Sequence, residues 1–222
     1  MLRKRAFILT NEFNLLCSLR KIFFYKISMK VVKVDDPNVV QIACDVLESG
    51  GVVMHPTETC YGLAVDISYK EAVEKLYDIK GREENKPVSI LVSKRAMALE
   101  YGEFSDKALE LAIEHWPGPL SIVVPRKRIL PDYFNPGEDF VSIRHSSSDL
   151  CTDIVHQFRK PITTTSANVS GKDPLYKPDV SDFDGKIDLL IDGGELREIH
   201  PTTVVKVVDD EIEVIRQGEI TV

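Results

Sequence analysis

Short hydrogen-bonding side chains are concentrated in residues 163–171, which read TTTSANVSG. A turn needs only about one or two Ser, Asn or Gly residues to satisfy its own backbone. This stretch has six hydroxyl and amide side chains: Thr163, Thr164, Thr165, Ser166, Asn168 and Ser170. Two interpretations are open at this point. The stretch is either the end of a strand that tolerates hydroxyl groups or one wall of a polar ligand site.

Basic residues stand at several loop ends, where they could bind an anion: Lys80, Arg82, Lys86, Arg144 and Arg216. Arginine binds phosphate or carboxylate through two parallel hydrogen bonds, and lysine acts as a point charge. Lys86 by itself is more typical of a solvated surface charge. Arg144 and Arg216 each close a hydrophobic strand, which favours a place in a cleft. Glu58 is equally compatible with a catalytic base and with a solvated loop carboxylate.

Several other kinds of active site are excluded because their motifs are absent. The sequence has no GxxxxGK[ST] phosphate loop, no GxSxG nucleophile turn and no HExxH zinc motif. The cysteines are too scattered to form a metal site: Cys17, Cys44, Cys60 and Cys151. Free thiols predict a reduced, cytoplasmic protein. The kind of site that remains after these exclusions is an anion-binding pocket without a covalent nucleophile. Such a pocket fits nucleotidyl or phosphoryl transfer, where a protein works by positioning and charge neutralisation.

The pattern of apolar residues predicts an α/β protein. About eight strands alternate with four or five helices, which is typical of one domain with a mixed sheet. Ser68 followed by Glu71 predicts a capping box at the start of one helix. Ligands of α/β sheets bind at strand ends. Five strands are followed by polar clusters that we expect to share one pocket: HPTET (55–59), Arg144-His145-Ser146, SANVSG (166–171), DGGE (192–195) and Arg216-Gln217-Gly218.

The charge of the chain is unevenly distributed. Residues 1–28 carry a net charge of +5, so the formal −7 of the whole chain leaves −12 for residues 29–222. An acidic body disfavours nucleic-acid binding through bulk charge, although it is compatible with a local basic groove. We expect residues 1–28 to be a basic N-terminal extension outside the functional domain, either a misassigned start or a targeting segment. The alternative is an amphipathic helix packed on the body.

Eight blocks of the sequence, taken in order, resemble the YrdC/TsaC family. They are HPTETCYGL (55–63), KGREENKP (80–87), WPGPLS (116–121), SIRH (142–145), TSANVSG (165–171), DGG (192–194), PTTVV (201–205) and IRQG (215–218). The KxR and SxN pair is the signature of that family. The resemblance implies a single twisted mixed β-sheet domain, flanked by helices, with a large concave cavity. It predicts a YrdC-like catalytic domain over residues 29–222, in the short form without the extra C-terminal domain of the long family branch.

The resemblance implies that the protein is an L-threonylcarbamoyladenylate synthase. Such an enzyme converts L-threonine, bicarbonate or CO2, and ATP to threonylcarbamoyl-AMP and pyrophosphate. The product serves the N6-threonylcarbamoylation of adenosine 37 in tRNA, through a transferase subunit of the TsaD/KEOPS type. Mg²⁺ would be bridged by the phosphates of ATP rather than held by a protein cage. The first alternative is a non-catalytic module that binds tRNA or rRNA in the same cavity. The second is a carbamoyl-transfer domain of the hydrogenase-maturation type, whose usual CxxC motifs are missing here.

The resemblance also assigns roles to individual residues. The implied catalytic residues are Lys80 and Arg82, which would contact the triphosphate and offset charge on the leaving pyrophosphate. The implied ATP-binding set is Lys80, Arg82, Lys86, Asn168, Ser170 and Arg216. The implied threonine-binding set is Thr59, Arg144, Ser166 and Thr202, with Arg144 on the carboxylate. Thr202 and Thr203 stand where the family usually has a Ser-Thr pair, and this exchange retains the hydroxyl groups.

Overall fold

The computed structural model describes residues 29–81, 87–183 and 185–222. The predicted N-terminal extension, Arg82 and Lys86 lie outside the described residues. The strands are β1 (Lys30–Lys33), β2 (Val53–Pro56), β3 (Tyr61–Ala64), β4 (Ser89–Leu91), β5 (Leu120–Pro125), β6 (Phe140–Arg144), β7 (Ile162–Ser166), β8 (Leu189–Asp192), β9 (Thr203–Val208) and β10 (Glu211–Arg216). The helices of the described residues are α1 (Val39–Glu48), α2 (Lys70–Lys80), α3 (Arg95–Tyr101), α4 (Asp106–His115) and α5 (Asp149–Phe158).

The strands form one mixed sheet in the order β1-β8-β2-β3-β7-β4-β6-β5-β9-β10. The parallel pairs are β1–β8, β2–β8, β4–β6 and β5–β9. The antiparallel pairs are β2–β3, β3–β7, β4–β7, β5–β6 and β9–β10. The predicted mixed α/β class is confirmed. The sheet has ten strands rather than about eight.

The core forms where apolar residues recur at the period of their element. In α1 the buried residues include Val39, Ala43 and Leu47, and this spacing of four places them on one face of the helix. That helix packs against α5. Strands β2 and β3 are buried at every position. Their connecting loop, residues 57–60, is therefore anchored in the interior of the sheet. Within the part of the chain that the structure describes, no helix has the length and apolar character needed to cross a membrane.

The start of α2 differs from the predicted capping box. The helix begins at Lys70 with Tyr69 as its N-cap residue, and Tyr69 makes no side-chain capping bond. The hydroxyl of Ser68 donates instead to Asp66 Oδ1 at 2.6 Å. Asp66 is buried and also forms an ion pair with Lys160 at 2.7 Å. The prediction was wrong because the neighbouring carboxylate competes for the serine side chain.

The loop between β5 and β6 is fixed by two polar side chains. The guanidinium of Arg126 donates to the backbone oxygens of Leu130, Pro131, Phe134, Asn135 and Glu138. Asn135 is buried and has a φ of 50°, a left-handed conformation that asparagine tolerates better than most residues. Its Oδ1 accepts from the Val88 N–H at 2.8 Å, and its Nδ2 donates to the Val88 oxygen at 2.9 Å. The loop is thereby fastened to the residue that precedes β4.

We expect Asn135→Ala to lower the free energy of unfolding by about 3 kcal/mol, since each buried backbone group left unpaired costs about 1–3 kcal/mol. Both polar groups of Val88 would lose their partner. Urea titration measures the change. The exposed N-cap residue Asn38 makes no side-chain capping bond, so the matched variant Asn38→Ala should stay within about 0.5 kcal/mol of the parent. Equal losses in the two variants would contradict this account.

Candidate functional site

A cavity of about 420 Å³ lies among the strand ends predicted to carry the site. Five of the predicted site residues line it: Thr59, Arg144, Ser166, Thr202 and Arg216. Thr164 and Thr165 line it as well, so the hydroxyl-rich stretch at the end of β7 is largely a cavity wall. Thr163 has a different role, because it is fully buried and its hydroxyl accepts from the Val65 N–H at 2.9 Å. Both interpretations of this stretch are therefore partly right.

The loop after β2 is held in shape by the hydroxyl of Thr57. This oxygen accepts hydrogen bonds from the backbone N–H groups of Thr59 at 3.1 Å and Cys60 at 3.2 Å. It also donates to the Cys60 oxygen at 2.8 Å. A side chain that satisfies its own turn in this way fixes the residues between the bonded positions. Glu58 and Thr59 are those residues.

Arg144, at the end of β6, is bound from the same loop. Its Nη2 lies 2.8 Å from Glu58 Oε1 and donates to Thr59 Oγ1 at 3.4 Å. The Arg144 side chain is only 9% exposed. Its Nε is buried without a hydrogen-bond partner among the described residues. A buried donor of this kind costs free energy unless a ligand or water accepts from it. Arg144 is therefore suited to bind an anion in the cavity.

Glu58 is a partner of Arg144 rather than a solvated loop carboxylate. Burial acts to raise the pKa of Glu58, but the charge of Arg144 and hydrogen bonds from Arg144 and Ser146 outweigh burial and hold the pKa below its ordinary value. Its Oε2 accepts a short hydrogen bond from the Ser146 hydroxyl, and its Oε1 accepts from the Ser147 N–H at 3.3 Å. Glu58 is not among the residues that line the cavity. It lies behind the wall that Arg144 forms.

Lys80 joins the two parts of the signature motif. It ends α2 and is 1% exposed. Its Nζ donates to the Ser166 oxygen at 2.6 Å and to Asn168 Oδ1 at 2.7 Å. The Ser166 hydroxyl donates to the same Asn168 oxygen at 2.6 Å. The Ser170 N–H donates to the Lys80 oxygen at 2.9 Å. Lys80 is buried, whereas Ser166, Asn168 and Ser170 are half-buried. Of these four residues, which we call the Lys80 cluster, only Ser166 lines the cavity, so Lys80 lies directly behind the wall.

Arg216, the last residue of β10, is attached to the loop before β9. Its Nε and Nη2 donate to the Thr202 oxygen at 3.0 Å and 2.8 Å. Position 218 requires glycine because the two segments touch there: a Cβ on Gly218 would lie 2.0 Å from the Pro201 oxygen. The Thr203 hydroxyl donates to the Ile220 oxygen at 2.6 Å. Thr202 and Arg216 thus face the cavity, whereas Thr203 and Gly218 hold the two segments together.

Lys206 and Phe140 are among the cavity residues that the sequence analysis missed. Lys206 lines the wall, and its Nζ lies 3.8 Å from the centroid of the Phe140 ring, which lines the wall as well. A signal for Lys206 was present in the sequence. In β9 the burial alternates at period two, so Val204 and Lys206 share the face opposite Val205. Phe140 offered no comparable signal before its pairing with β5 was known.

The thiol in the cavity wall is poorly suited to covalent catalysis. Cys60 lines the cavity as a free cysteine. Burial raises the pKa of Cys60 above its ordinary value, although the charges of Arg144, Lys80 and Arg216 oppose this shift. A protonated thiol is a weak nucleophile. The arrangement therefore favours chemistry by positioning and charge.

The DGGE cluster does not share the pocket, contrary to our expectation. None of its residues lines the cavity. The Tyr61 hydroxyl accepts from the Gly193 N–H at 3.0 Å and donates to the Gly194 oxygen at 2.8 Å. A Cβ on Gly193 would lie 2.9 Å from Pro56. Gly193 therefore lets the backbone approach β2 and the buried tyrosine of β3, whereas Gly194 serves the turn with a φ of 74°.

His55 is a buried histidine behind the same loop. Its Nε2 has no hydrogen-bond partner among the described residues, and its Nδ1 lies 3.5 Å from the Cys151 sulfur. Burial, together with the charge of Arg144, lowers the pKa of His55 from 6.5 to about 4. His55 is therefore neutral near pH 7 and belongs to the support of the site.

These features define an α/β protein whose mixed sheet carries a cavity lined by the buried Arg144, with the buried Lys80 bound to the wall residue Ser166. The family described as "Telomere recombination" (Sua5_yciO_yrdC) matches residues 45–218. The chain belongs to this Sua5/YciO/YrdC family, and the resemblance to YrdC/TsaC proteins is confirmed.

Individual relatives agree with the family assignment. A threonylcarbamoyl-AMP synthase of Pyrococcus abyssi is 33% identical over 182 residues, which is 81% of this chain and 54% of that protein. A putative threonylcarbamoyl-AMP synthase of Methanocaldococcus jannaschii is 35% identical over 176 residues, which is 78% of this chain and 83% of that protein. The crystal structure of P. abyssi Sua5 complexed with L-threonine superposes with a TM-score of 0.79 at 31% identity, covering 86% of this chain and 57% of that one. The chain thus spans about half the length of the P. abyssi protein.

We expect the free energy of unfolding to fall as the pH is lowered from 6.5 to 4. In that interval His55 binds a proton in the unfolded chain but not in the folded protein. The loss from this residue is about 3 kcal/mol. Glu58 acts in the same direction at lower pH, since its folded pKa is also depressed. Urea titrations at several pH values measure the slope. His55→Asn should flatten it between pH 5 and pH 6.5, whereas His156→Gln, at an exposed position, should not. An unchanged slope in His55→Asn would contradict the account.

Proposed function

We propose that this chain is an L-threonylcarbamoyladenylate synthase, which makes threonylcarbamoyl-AMP and pyrophosphate from L-threonine, bicarbonate or CO2, and ATP. The observation that carries the proposal is one cavity that the buried Arg144 lines, with the buried Lys80 hydrogen-bonded to the wall residue Ser166. A reaction that joins a carboxylate-bearing substrate to a triphosphate needs two such cationic positions. The names of the P. abyssi and M. jannaschii relatives support this choice of substrates.

The threonine end of the cavity is assigned to the Arg144 side. Arg144 binds the carboxylate of threonine, for which its unpaired Nε is a suitable donor. Thr59, Ser166 and Thr202 line the same cavity and offer hydroxyl groups to the polar atoms of the amino acid. Shape and hydroxyl contacts of this kind would select a β-hydroxy amino acid over an apolar one.

The ATP end of the cavity is assigned to the Lys80 cluster and Arg216. Lys80, with Asn168 and Ser170 around it, binds the phosphates, and Arg216 contacts the nucleotide from β10. Arg82 and Lys86 complete the set on the basis of the family resemblance alone. Loss of solvent around the guanidinium lowers the pKa of Arg216, and the charge of Arg144 acts in the same direction. This coupling supports the idea that the two guanidinium groups face one shared space, where bound anions relieve their repulsion.

The reaction has two steps in this proposal. The amine of threonine adds to CO2, which forms an N–C bond and releases a proton, so that a carbamate results. A carbamate oxygen then attacks the α-phosphorus of ATP, and the bond to pyrophosphate breaks as the new O–P bond forms. Lys80 and Arg82 offset the charge that develops on pyrophosphate.

Mg²⁺ is proposed to enter with ATP. It neutralises phosphate charge and usually binds substrate phosphates, waters and only one or two protein carboxylates. Glu138 is the carboxylate residue of the cavity wall. Among the residues described here there is no group of three or more His, Cys, Asp or Glu that could hold a metal ion.

The proposed product is a mixed anhydride that needs a dedicated acceptor. We expect a transferase of the TsaD/KEOPS type to use it for N6-threonylcarbamoyladenosine at position 37 of tRNA, in the cytoplasm. Direct tRNA binding by this chain would need a local basic surface, since residues 29–222 carry a net charge of −12. The non-catalytic RNA-binding alternative has the same difficulty.

Pyrophosphate release by the full-length protein tests the proposal. We expect release from ATP that requires both L-threonine and bicarbonate, with threonylcarbamoyl-AMP detected by mass spectrometry. Valine, which has a methyl group in place of the threonine hydroxyl, should be a poor substrate. Folded protein that releases no pyrophosphate in the presence of both substrates would overturn the proposal.

Lys80→Met should lower the rate of pyrophosphate release by at least about 100-fold, because a positioned cation on the phosphates is lost. Lys75→Met is the matched control. Lys75 lies on the same helix but pairs with Asp188 at 2.7 Å, away from the cavity wall. The control variant should keep the parental rate within about twofold. Comparable rates in the two variants would remove Lys80 from the site.

A further inference from the structure

Glu58 occupies an unusual position for a carboxylate in this site. It sits on the cavity-bordering loop between two wall residues, Thr57 and Thr59, yet is itself not part of the wall. Its side chain is 16% exposed and faces Arg144, with Oε1 at 2.8 Å from Nη2. Its other oxygen accepts from the Ser146 hydroxyl. Both carboxylate oxygens are thus bound to groups at the end of β6.

The contacts of Ser146 extend this arrangement into α5. The Ser146 side chain is buried, and its oxygen accepts from the Ser148 N–H at 3.1 Å. Ser148 is the N-cap residue of α5. The chain of contacts therefore runs from the helix start through Ser146 and Glu58 to the guanidinium of Arg144. Each member is fixed by an element of the fold, which is the condition for holding a flexible side chain in one orientation.

These contacts disfavour the two roles that the sequence left open for Glu58. A solvated loop carboxylate would be exposed and unpaired, whereas Glu58 is neither. A catalytic base must reach the proton that it removes, and Glu58 lies behind Arg144. Its carboxylate is already engaged by an arginine and by hydrogen-bond donors on both oxygens.

We propose that Glu58 is the positioning residue of the amino-acid end of the cavity: held by Ser146, it binds Nη2 of Arg144 and leaves Nε to donate to the substrate carboxylate. Arginine has many rotamers, and fixing it beforehand lowers the entropy cost of binding. The paired carboxylate also keeps the guanidinium from being a buried unpaired charge in the empty cavity. This inference rests on the proposed function, because it takes threonine as the ligand of Arg144.

A double-mutant cycle between Glu58 and Arg144 tests the inference. The variants are Glu58→Gln, Arg144→Ala and the combination of both. Glu58→Gln keeps the shape but removes the charge, and we expect it to raise the threonine KM by about tenfold with kcat within about twofold, as for lost binding. In the Arg144→Ala background, Glu58→Gln should raise the threonine KM by less than about a further twofold, because the effects of residues that act through one another are not additive. Threonine Kd from calorimetry should follow the same pattern.

The controls separate positioning from other effects. Glu114→Gln, at a side chain that is 72% exposed on α4, should leave KM and kcat unchanged. Ser146→Ala removes one bond to the same carboxylate and should raise the threonine KM by about threefold, with the ATP KM unchanged. It serves as the second variant if Glu58→Gln does not fold. Glu58→Asp, which keeps the charge, should recover part of the loss.

Three results would overturn the inference. A fall in kcat with unchanged threonine KM would make Glu58 a base. A lowered melting temperature with unchanged KM would make it structural only. Equal effects of Glu58→Gln with and without Arg144 would show that it does not act through that residue. Failure of the proposed function itself is distinguishable, because the unaltered protein would then release no threonine-dependent pyrophosphate.

Discussion

The rest of the site depends on one constraint, the burial of two basic side chains at the middle of the sheet. Lys80 is 1% exposed and Arg144 is 7% exposed. A buried charge is tolerated only when it is paired or hydrogen-bonded. The fold meets this requirement in two ways, with an ion pair to Glu58 for Arg144 and with backbone and amide oxygens of β7 and its loop for Lys80. Arg144 thereby lines the cavity, and Lys80 lies behind its wall, bound to Ser166.

The surrounding structure serves to keep these partners in place. The Thr57 turn fixes Glu58, and the loop is anchored between the fully buried strands β2 and β3. On the other side, Arg216 and Gly218 bind the edge hairpin to the segment before β9, so Thr202 reaches the wall. Binding of anions in such a preorganised site costs little rearrangement, which is the property that charge-based catalysis requires.

The sequence predicted the class of fold and much of the cavity wall, but it could not predict side-chain direction. The family resemblance, together with the polar strand ends, led to Thr59, Arg144, Ser166, Thr202 and Arg216, which line the cavity. Direction follows from strand register, which a sequence does not show. For that reason DGGE was expected in the pocket although it packs around Tyr61. The pairing of Ser68 with Asp66 and of Glu58 with Arg144 also depends on tertiary contacts.

The central claim is that one cavity holds an amino-acid carboxylate at Arg144 and a triphosphate at the Lys80 cluster. A crystal structure with L-threonine and a non-hydrolysable ATP analogue tests it most directly. The account predicts the threonine carboxylate within hydrogen-bond distance of Arg144 Nε, with the Glu58 ion pair intact, and the phosphates beside Lys80. Threonine bound away from Arg144, or a nucleotide bound outside this cavity, would contradict the account.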